Sequence, residues 1–264
     1  MKLSQKLLHK ISDHFEVRTD AVHFLPKLQS HRGFRNTPNA LREGQDISLR
    51  ENTLASIQKA HELGYLMVEF DVRLTKDHHV ILYHDDNIEG KLISHLTLSE
   101  VQLRQEVDLL DDVFGWYAHK QIDHFKFNVE IKSKSTHGQL EKQVFRLIQK
   151  FGLQKNILIS SFNPFSLMYF RLFDPTIFRS LLLTFSNESG NNFVIKNMML
   201  NVFARPNALH LNHEDWDSQK FNKITEKNVP IVLWTCNDLN LIQKYFAEGI
   251  VGVISDTITP NHIS

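Results

Sequence analysis

Cysteine is nearly absent: Cys236 is the only one in 264 residues, so no disulfide can form within the chain. That usage is compatible with a reducing compartment. An excess of charge of one sign is also lacking, because 30 Lys and Arg balance 30 Asp and Glu. The balance removes the basic surplus expected of a nucleic-acid-binding chain. No apolar run approaches the ~20 residues of a membrane span. Charges scattered through the first thirty residues interrupt anything resembling a signal-peptide core. The expectation is a soluble cytoplasmic protein with no transmembrane segment. With 42% apolar residues, the chain is long enough to bury roughly three quarters of its unfolded surface in one domain of barrel size.

What is present concentrates between Met67 and Asp86. Alternation from Val68 to Val72 reads as a strand with Phe70 on one face and both Glu69 and Asp71 on the other. Two carboxylates pointing into an interior repel each other unless a cation neutralises them, so the pair is a candidate metal site. An edge strand with both acids in water is the alternative. After the polar turn Thr75 to His79, the apolar run Val80 to Tyr83 ends at His84 and Asp85. About eight residues separate the two runs, fewer than the dozen or more needed for a helical crossover between parallel strands. The spacing therefore predicts a hairpin. Such a hairpin returns His84 to the level of Asp71 and sets a titratable imidazole beside the proposed cation.

Upstream, Leu3, Leu7, Leu8, Ile11 and Phe15 recur at helical spacing with Lys2, Lys6 and Lys10 among them. The pattern predicts an amphipathic helix in an N-terminal extension over residues 1–28, docked on its own domain or in peripheral contact with a membrane. Gln29 to Gly33 reads as a short strand ending in His31-Arg32-Gly33. A polar excursion follows, then Glu51-Asn52-Thr53 and a helical run through Ala55, Ile57, Ala60 and Leu63, stopped by Gly64. Farther on, Asn128, Glu130 and Lys132 share one face of an alternating segment, and Phe127, Val129 and Ile131 share the other. A carboxylate and an ammonium thus face one pocket, with a plain Lys132–Glu130 ion pair as the alternative.

Taken in order, His31-Arg32-Gly33, Glu51-Asn52-Thr53, Glu69-Phe70-Asp71-Val72, Leu74-Thr75-Lys76-Asp77 and His84-Asp85 resemble the signature of glycerophosphodiester phosphodiesterases. Leu109 to Val113, Asn128 to Lys132, Ser160 to Pro164, Val232 to Asn237 and Gly252 to Asp256 are similar to later motifs of that family. The resemblance runs from about Gln29 to Pro260. It implies metal-dependent hydrolysis of a small-molecule glycerophosphodiester to glycerol 3-phosphate and an alcohol, with Mg²⁺ or Ca²⁺ as cofactor. Position by position, it implies metal ligands at Glu69, Asp71 and Glu130 and an acid/base pair at His31 and His84. Arg32 and Lys132 are candidates to bind phosphate by stabilising the charge that builds on its oxygens; the resemblance adds a substrate contact from Trp234, with Glu51 as a further metal ligand or a support and Asn52 in support. For Trp234, filling core volume is the alternative. In the family, the glycerol 2-hydroxyl can attack first, giving a cyclic phosphate that water opens.

Counting segments independently gives nine strands, at Gln29–Gly33, Met67–Asp71, Val80–His84, Phe127–Ile131, Ile157–Ser161, Ser180–Thr184, Ala208–Asn212, Pro230–Thr235 and Gly252–Ser255. Setting aside Val80–His84, which cannot be a parallel neighbour, leaves eight with helical gaps. The expectation is a (β/α)8 TIM-type barrel over residues 29–264, with a small hairpin insertion after the second strand. The sequence departs from the family before Glu51, where Arg50 replaces the usual proline, and in the long excursion from Phe34 to Arg50. That excursion carries Arg35, Arg42 and Arg50 and either walls the pocket or forms a solvated loop. Two other functions fit the same residues: a lysophospholipase D or cyclising phospholipase-like enzyme, and a non-catalytic phosphodiester-binding barrel. The remaining histidines, among them His78, His79, His119, His210 and His213, read as structural or solvated.

Overall fold

The strands are β1 (Leu28–Ser30), β2 (Met67–Leu74), β3 (Val80–Leu82), β4 (Asn87–Ile88), β5 (Lys91–Leu92), β6 (Lys126–Ile131), β7 (Ile157–Ser161), β8 (Phe178–Leu183), β9 (Ala208–Asn212), β10 (Ile231–Trp234) and β11 (Gly252–Ser255), all but β4 and β5 on segments whose pattern predicts them. Between or beside them lie α1 (Ala21–Phe24), α2 (Leu54–Glu62), α3 (Leu98–Gln102), α4 (Leu110–Lys120), α5 (Gln139–Phe151), α6 (Pro164–Phe173), α7 (Asn201–Ala204), α8 (Ser218–Thr225) and α9 (Leu239–Ala247). This computed structural model describes residues 14–35, 49–122, 124–185 and 201–263. The expected N-terminal helix lies almost wholly outside the described residues, as does most of the Phe34 to Arg50 excursion, including Arg42.

Eight parallel strands run in the order β1, β11, β10, β9, β8, β7, β6, β2, and the pairing of β1 with β2 closes the ring. The result is the expected (β/α)8 barrel. The predicted hairpin is present too: β3 runs antiparallel to β2, with Val72 opposite Leu82 and Leu74 opposite Val80. One further backbone bond, from Tyr83 N to Asp71 O at 3.1 Å, carries the chain to His84 at the level of Asp71.

Alternation decides what faces inward. Val68, Phe70 and Val72 join the apolar layer beneath the helices, as do Phe127, Val129 and Ile131. Met67 instead belongs to an inner cluster with Leu158, Phe178, Ala208, Val232 and Ile254, closed from below by Ala21 and Leu25 of the N-terminal segment. Phe24 stacks on Phe178 with ring centroids 4.6 Å apart. The lower barrel is thus apolar and plugged. Above it a polar layer begins, in which Asn128 donates to Gln29 Oε1 at 2.9 Å and Ser160 donates to Asn128 Oδ1 at 2.7 Å. Charge comes last, at the carboxyl ends of the strands, where barrel enzymes carry their sites.

The first strand ends earlier than its sequence suggests, at Ser30, because His31 and Arg32 already turn. Arg32 and Gly33 both take left-handed backbone, at φ 53° and 76°. A Cβ on Gly33 would sit 2.1 Å from Ser56 Oγ and 2.9 Å from the Ser56 carbonyl carbon. Ser56 is committed as well, since Thr53 and Ser56 cap α2 reciprocally through side-chain bonds of 3.1 Å. Gly33→Ala is therefore expected to destabilise by roughly 2 kcal/mol or more, combining positive-φ strain with a backbone clash. Urea denaturation checks this, and an unchanged midpoint would mean the turn has slack to absorb a methyl group.

Candidate active site

Glu69 and Asp71 on β2 and Glu130 on β6 meet at the top of the barrel, in register as neighbours: Glu69 pairs with Asn128 and Asp71 with Glu130. Their ligand oxygens lie within 4.8 Å of one another, and all three residues are buried. Burial disfavours their charge. It pushes the Glu69 carboxyl well above the usual range, helped by repulsion from Asp71 and Glu130. It also pushes Glu130 up to about 7, against the pull of Lys132. Asp71 goes the other way: Lys132 and Arg32 outweigh its burial and hold it below the usual carboxylate range.

The surrounding cations account for that difference. Lys132 Nζ is 2.6 Å from Glu130 Oε1 and 3.2 Å from Asp71 Oδ1. Arg32 Nε is 3.4 Å from Asp71 Oδ2, while its backbone N–H donates to Glu69 Oε2 at 2.9 Å. Fully ionised, the three carboxylates would exceed the two cations in contact with them by one charge in a buried place, which is why Glu69 and Glu130 are raised when no other cation is present. A phosphodiester anion would add another. An all-oxygen donor set with that deficit fits a hard divalent cation.

Asn52 holds Asp71 from two directions, donating from Nδ2 to Oδ2 and accepting from the Asp71 N–H, both at 2.9 Å. Glu51 stands farther out. It accepts from Arg32 at 2.8 Å and also pairs with Arg35, so the structure sets it against arginines rather than in the acidic triad. Arg35 additionally reaches Asp256 Oδ1 at 2.9 Å. The excursion's first arginine thus braces the mouth.

Each candidate histidine rests on an aspartate. His31 Nδ1 lies 2.8 Å from Asp256 Oδ1, and His84 Nδ1 lies 2.8 Å from Asp85 Oδ1. An ionised carboxylate only accepts, so Nδ1 carries the proton and the Nε2 lone pair is the one available for chemistry. His31 Nε2 is 3.9 Å from Glu69 Oε2. Burial lowers the His84 pKa, and the nearby Lys132 charge lowers it further. Asp256 stays ionised below the usual range despite its burial, because His31, Asn237 and Arg35 all favour its charge.

Trp234 comes from β10 on the inner face, half-buried, with its ring edge-on to Phe162 at 5.7 Å. Its Nε1 has no hydrogen-bond partner. His210, on the inner face of β9, is fully buried with both ring nitrogens unpartnered, and burial drives its pKa down to about 3. It stays neutral, consistent with a structural residue.

Several residues of the mouth were not singled out from sequence. Asp256 enters the sequence pattern only as the last residue of the Gly252 to Asp256 motif, and its role appears once β11 closes on β1. Asp85 sat beside His84 in plain view. Arg73 gave no signal at all: it donates to the His84 carbonyl at 2.9 and 2.5 Å and to the Lys132 carbonyl at 3.2 Å, tying two candidate residues together from below.

Fold and mouth define a class, that of (β/α)8 barrel enzymes whose strand ends present acids, imidazoles and cations to an anionic phosphate ester. Comparison with known proteins narrows it. The chain belongs to the Glycerophosphoryl diester phosphodiesterase family, whose model matches residues 31–259, and it is a phosphoric diester hydrolase. It is similar to the glycerophosphodiester phosphodiesterase of Caldanaerobacter subterraneus subsp. tengcongensis, 23% identical over 231 residues covering 81% of this chain and 91% of the relative. It also resembles human lysophospholipase D GDPD1, at 21% identity covering 88% of this chain and 84% of that one. Among solved structures, an Oleispira antarctica phosphodiesterase in complex with sn-glycerol-3-phosphate shares the fold with a TM-score of 0.68, 24% identity and coverage of 89% and 94%. No helix among the described residues is long and apolar enough to cross a membrane.

Proposed function

We propose that the enzyme hydrolyses glycerophosphodiesters to glycerol 3-phosphate and an alcohol, with Mg²⁺ or Ca²⁺ held by Glu69, Asp71 and Glu130. The observation that carries this reading is the pairing of two aspartate-backed imidazoles with a buried acidic triad at one barrel mouth. The family and the names of the relatives support the choice of substrate.

When bound, the cation supplies Lewis-acid stabilisation of the charge that builds on the phosphoryl oxygens. The chain's own groups do the rest. Lys132 and Arg32 hold the phosphoryl oxygens by charge and hydrogen bonding, adding to that stabilisation. One of His31 and His84 takes the nucleophile's proton at Nε2 as a new P–O bond forms. The other enters the step as the imidazolium, protonated at Nε2 as well as Nδ1, and delivers its Nε2 proton to the departing alkoxide as the old P–O bond breaks. Asp256 and Asp85 keep both rings in the tautomer that leaves Nε2 facing the reaction. Asn52 and Arg73 fix the residues around them.

The test is glycerol 3-phosphate release from a panel of glycerophosphodiesters and lysophospholipids, with and without chelator and with Mg²⁺ or Ca²⁺ restored. Release that chelator abolishes and metal restores is expected. Chelator-insensitive release would remove the metal from the reading, and no release from any substrate would overturn the hydrolase assignment itself.

A further inference from the structure

Beneath the mouth the barrel interior holds a second polar centre. In an eight-stranded barrel alternate strands supply the side chains of each interior level. The pairing register sets His210 of β9 on a level with Glu69, Ser160 and Ile254, with Gln29 of β1 on the level beneath and Trp234 of β10 on the level above. In the ring β9 stands opposite β2. The imidazole therefore points at the barrel axis from the side away from Glu69, whose Oε2 is held by the Arg32 N–H.

Four nitrogens on these three levels are buried and have no hydrogen-bond partner among the described residues: Gln29 Nε2, His210 Nδ1 and Nε2, and Trp234 Nε1. Gln29 Oε1 accepts from Asn128 at 2.9 Å, so Nε2 is the end of that amide left over. His210 is neutral, because burial drives its pKa down to about 3, and a neutral imidazole donates from one nitrogen and accepts at the other. The set is thus three donors and one acceptor, stacked along the axis. Buried polar groups are almost always hydrogen-bonded, to protein or to ordered water. A ligand for this set must both accept and donate and be small enough for a sealed interior, which describes water.

We infer that the barrel axis beneath the mouth is a hydration site, and that His210 positions the Trp234 ring through it. A pair of waters completes the bonding. The upper one accepts from Trp234 Nε1 and donates to the imidazole lone pair, while the lower accepts from the imidazole N–H and from Gln29 Nε2. Each then has enough polar partners to be held as a buried water. The edge-on contact of Trp234 with Phe162 leaves the roll of the indole open, and a bond at Nε1 sets it. The positioning role rests on the glycerophosphodiesterase reading, in which Trp234 touches the substrate; the hydration site does not.

Nitrogen-edited NOE and ROE spectra of the full chain test the hydration site, with the Trp234 indole resonance assigned by its loss in Trp234→Phe. A cross-peak between that indole N–H and water is expected, with the sign of a long-lived water rather than of proton exchange. It should vanish in His210→Leu, which removes both ring nitrogens, and persist in His210→Gln, which keeps a donor and an acceptor. No such cross-peak in the wild type, or one undiminished in His210→Leu, overturns the hydration site. The wild-type spectrum decides even where His210→Leu does not fold. For the positioning role, KM for glycerophosphocholine is expected to rise severalfold in His210→Leu at unchanged kcat, and to return toward the wild-type value in His210→Gln. A purely structural role would lower Tm without that split. An unchanged KM in His210→Leu whose cross-peak is gone overturns the positioning role. If no form cleaves a diester, the cross-peak still decides the hydration site, and the positioning role falls together with the hydrolase reading.

Discussion

Replacing His31 or His84 by alanine is expected to lower turnover by about 10² to 10⁴, the usual worth of a positioned acid or base. The fold should survive both changes. His31 is partly exposed in a turn beyond β1, and His84 follows β3 on the outer side of the mouth, so neither fills the core. Circular dichroism and urea midpoints matching the wild type would establish that, and kcat on glycerophosphocholine gives the rate. Asp256→Asn should reproduce part of the His31 loss by freeing the ring to take the other tautomer. Its signature is a displaced pH–rate profile, which a loss of mere packing would not give. Wild-type turnover in His31→Ala or His84→Ala would remove that histidine from the mechanism.

How much of this was legible in the sequence depended on whether the controlling interaction was local. The period-2 pattern of β2 and β6 placed Glu69, Asp71 and Glu130 on the inner face because the apolar residues between them had to face the helices. The hairpin to His84 followed from chain length alone, since eight residues cannot make a crossover. The Asp256 partner of His31 was another matter. It lies 225 positions away and becomes a neighbour only when β11 pairs with β1, a closure that no local window contains. Short, irregular elements also escaped. The β4–β5 hairpin and α3 pack through Ile88, Ile93, Leu96 and Val101 onto Ile81, too few residues per element for a period to show. For Lys132 the sequence allows both a pocket role and a plain ion pair, and the structure shows the ion pair to Glu130 within reach of Asp71 rather than apart from it. A lysine that neutralises carboxylates in the free protein is also one that a divalent ion can release toward phosphate.

The stabilisation conferred by a divalent cation is expected to grow as pH rises from about 4.5 to about 7. In the metal-free fold Glu130 holds its proton up to about 7 because it is buried beside Asp71, and Glu69 is raised by burial and by both neighbours. Both start from 4.5 in the unfolded chain. Between those values the folded protein keeps protons that the unfolded chain has released, so raising pH favours unfolding of the metal-free form. A bound cation needs the carboxylates ionised and removes that penalty, and its binding releases protons. Asp71 and Asp256 do not interfere, because their lowered pKa values contribute stability that is lost only below about pH 4. His210 does act in the window, with the opposite sign: its folded pKa lies below its unfolded 6.5, so raising pH stabilises the fold. That contribution is the same with and without metal and cancels in the difference. Calorimetric Tm values from pH 5 to 8, in chelator and in Mg²⁺ or Ca²⁺, give that difference directly. Glu130→Gln should abolish both the metal-induced rise in Tm and its pH dependence, and activity with them. A rise in Tm that is constant across this range would mean that Glu130 is already ionised in the free protein and that Lys132 alone satisfies it.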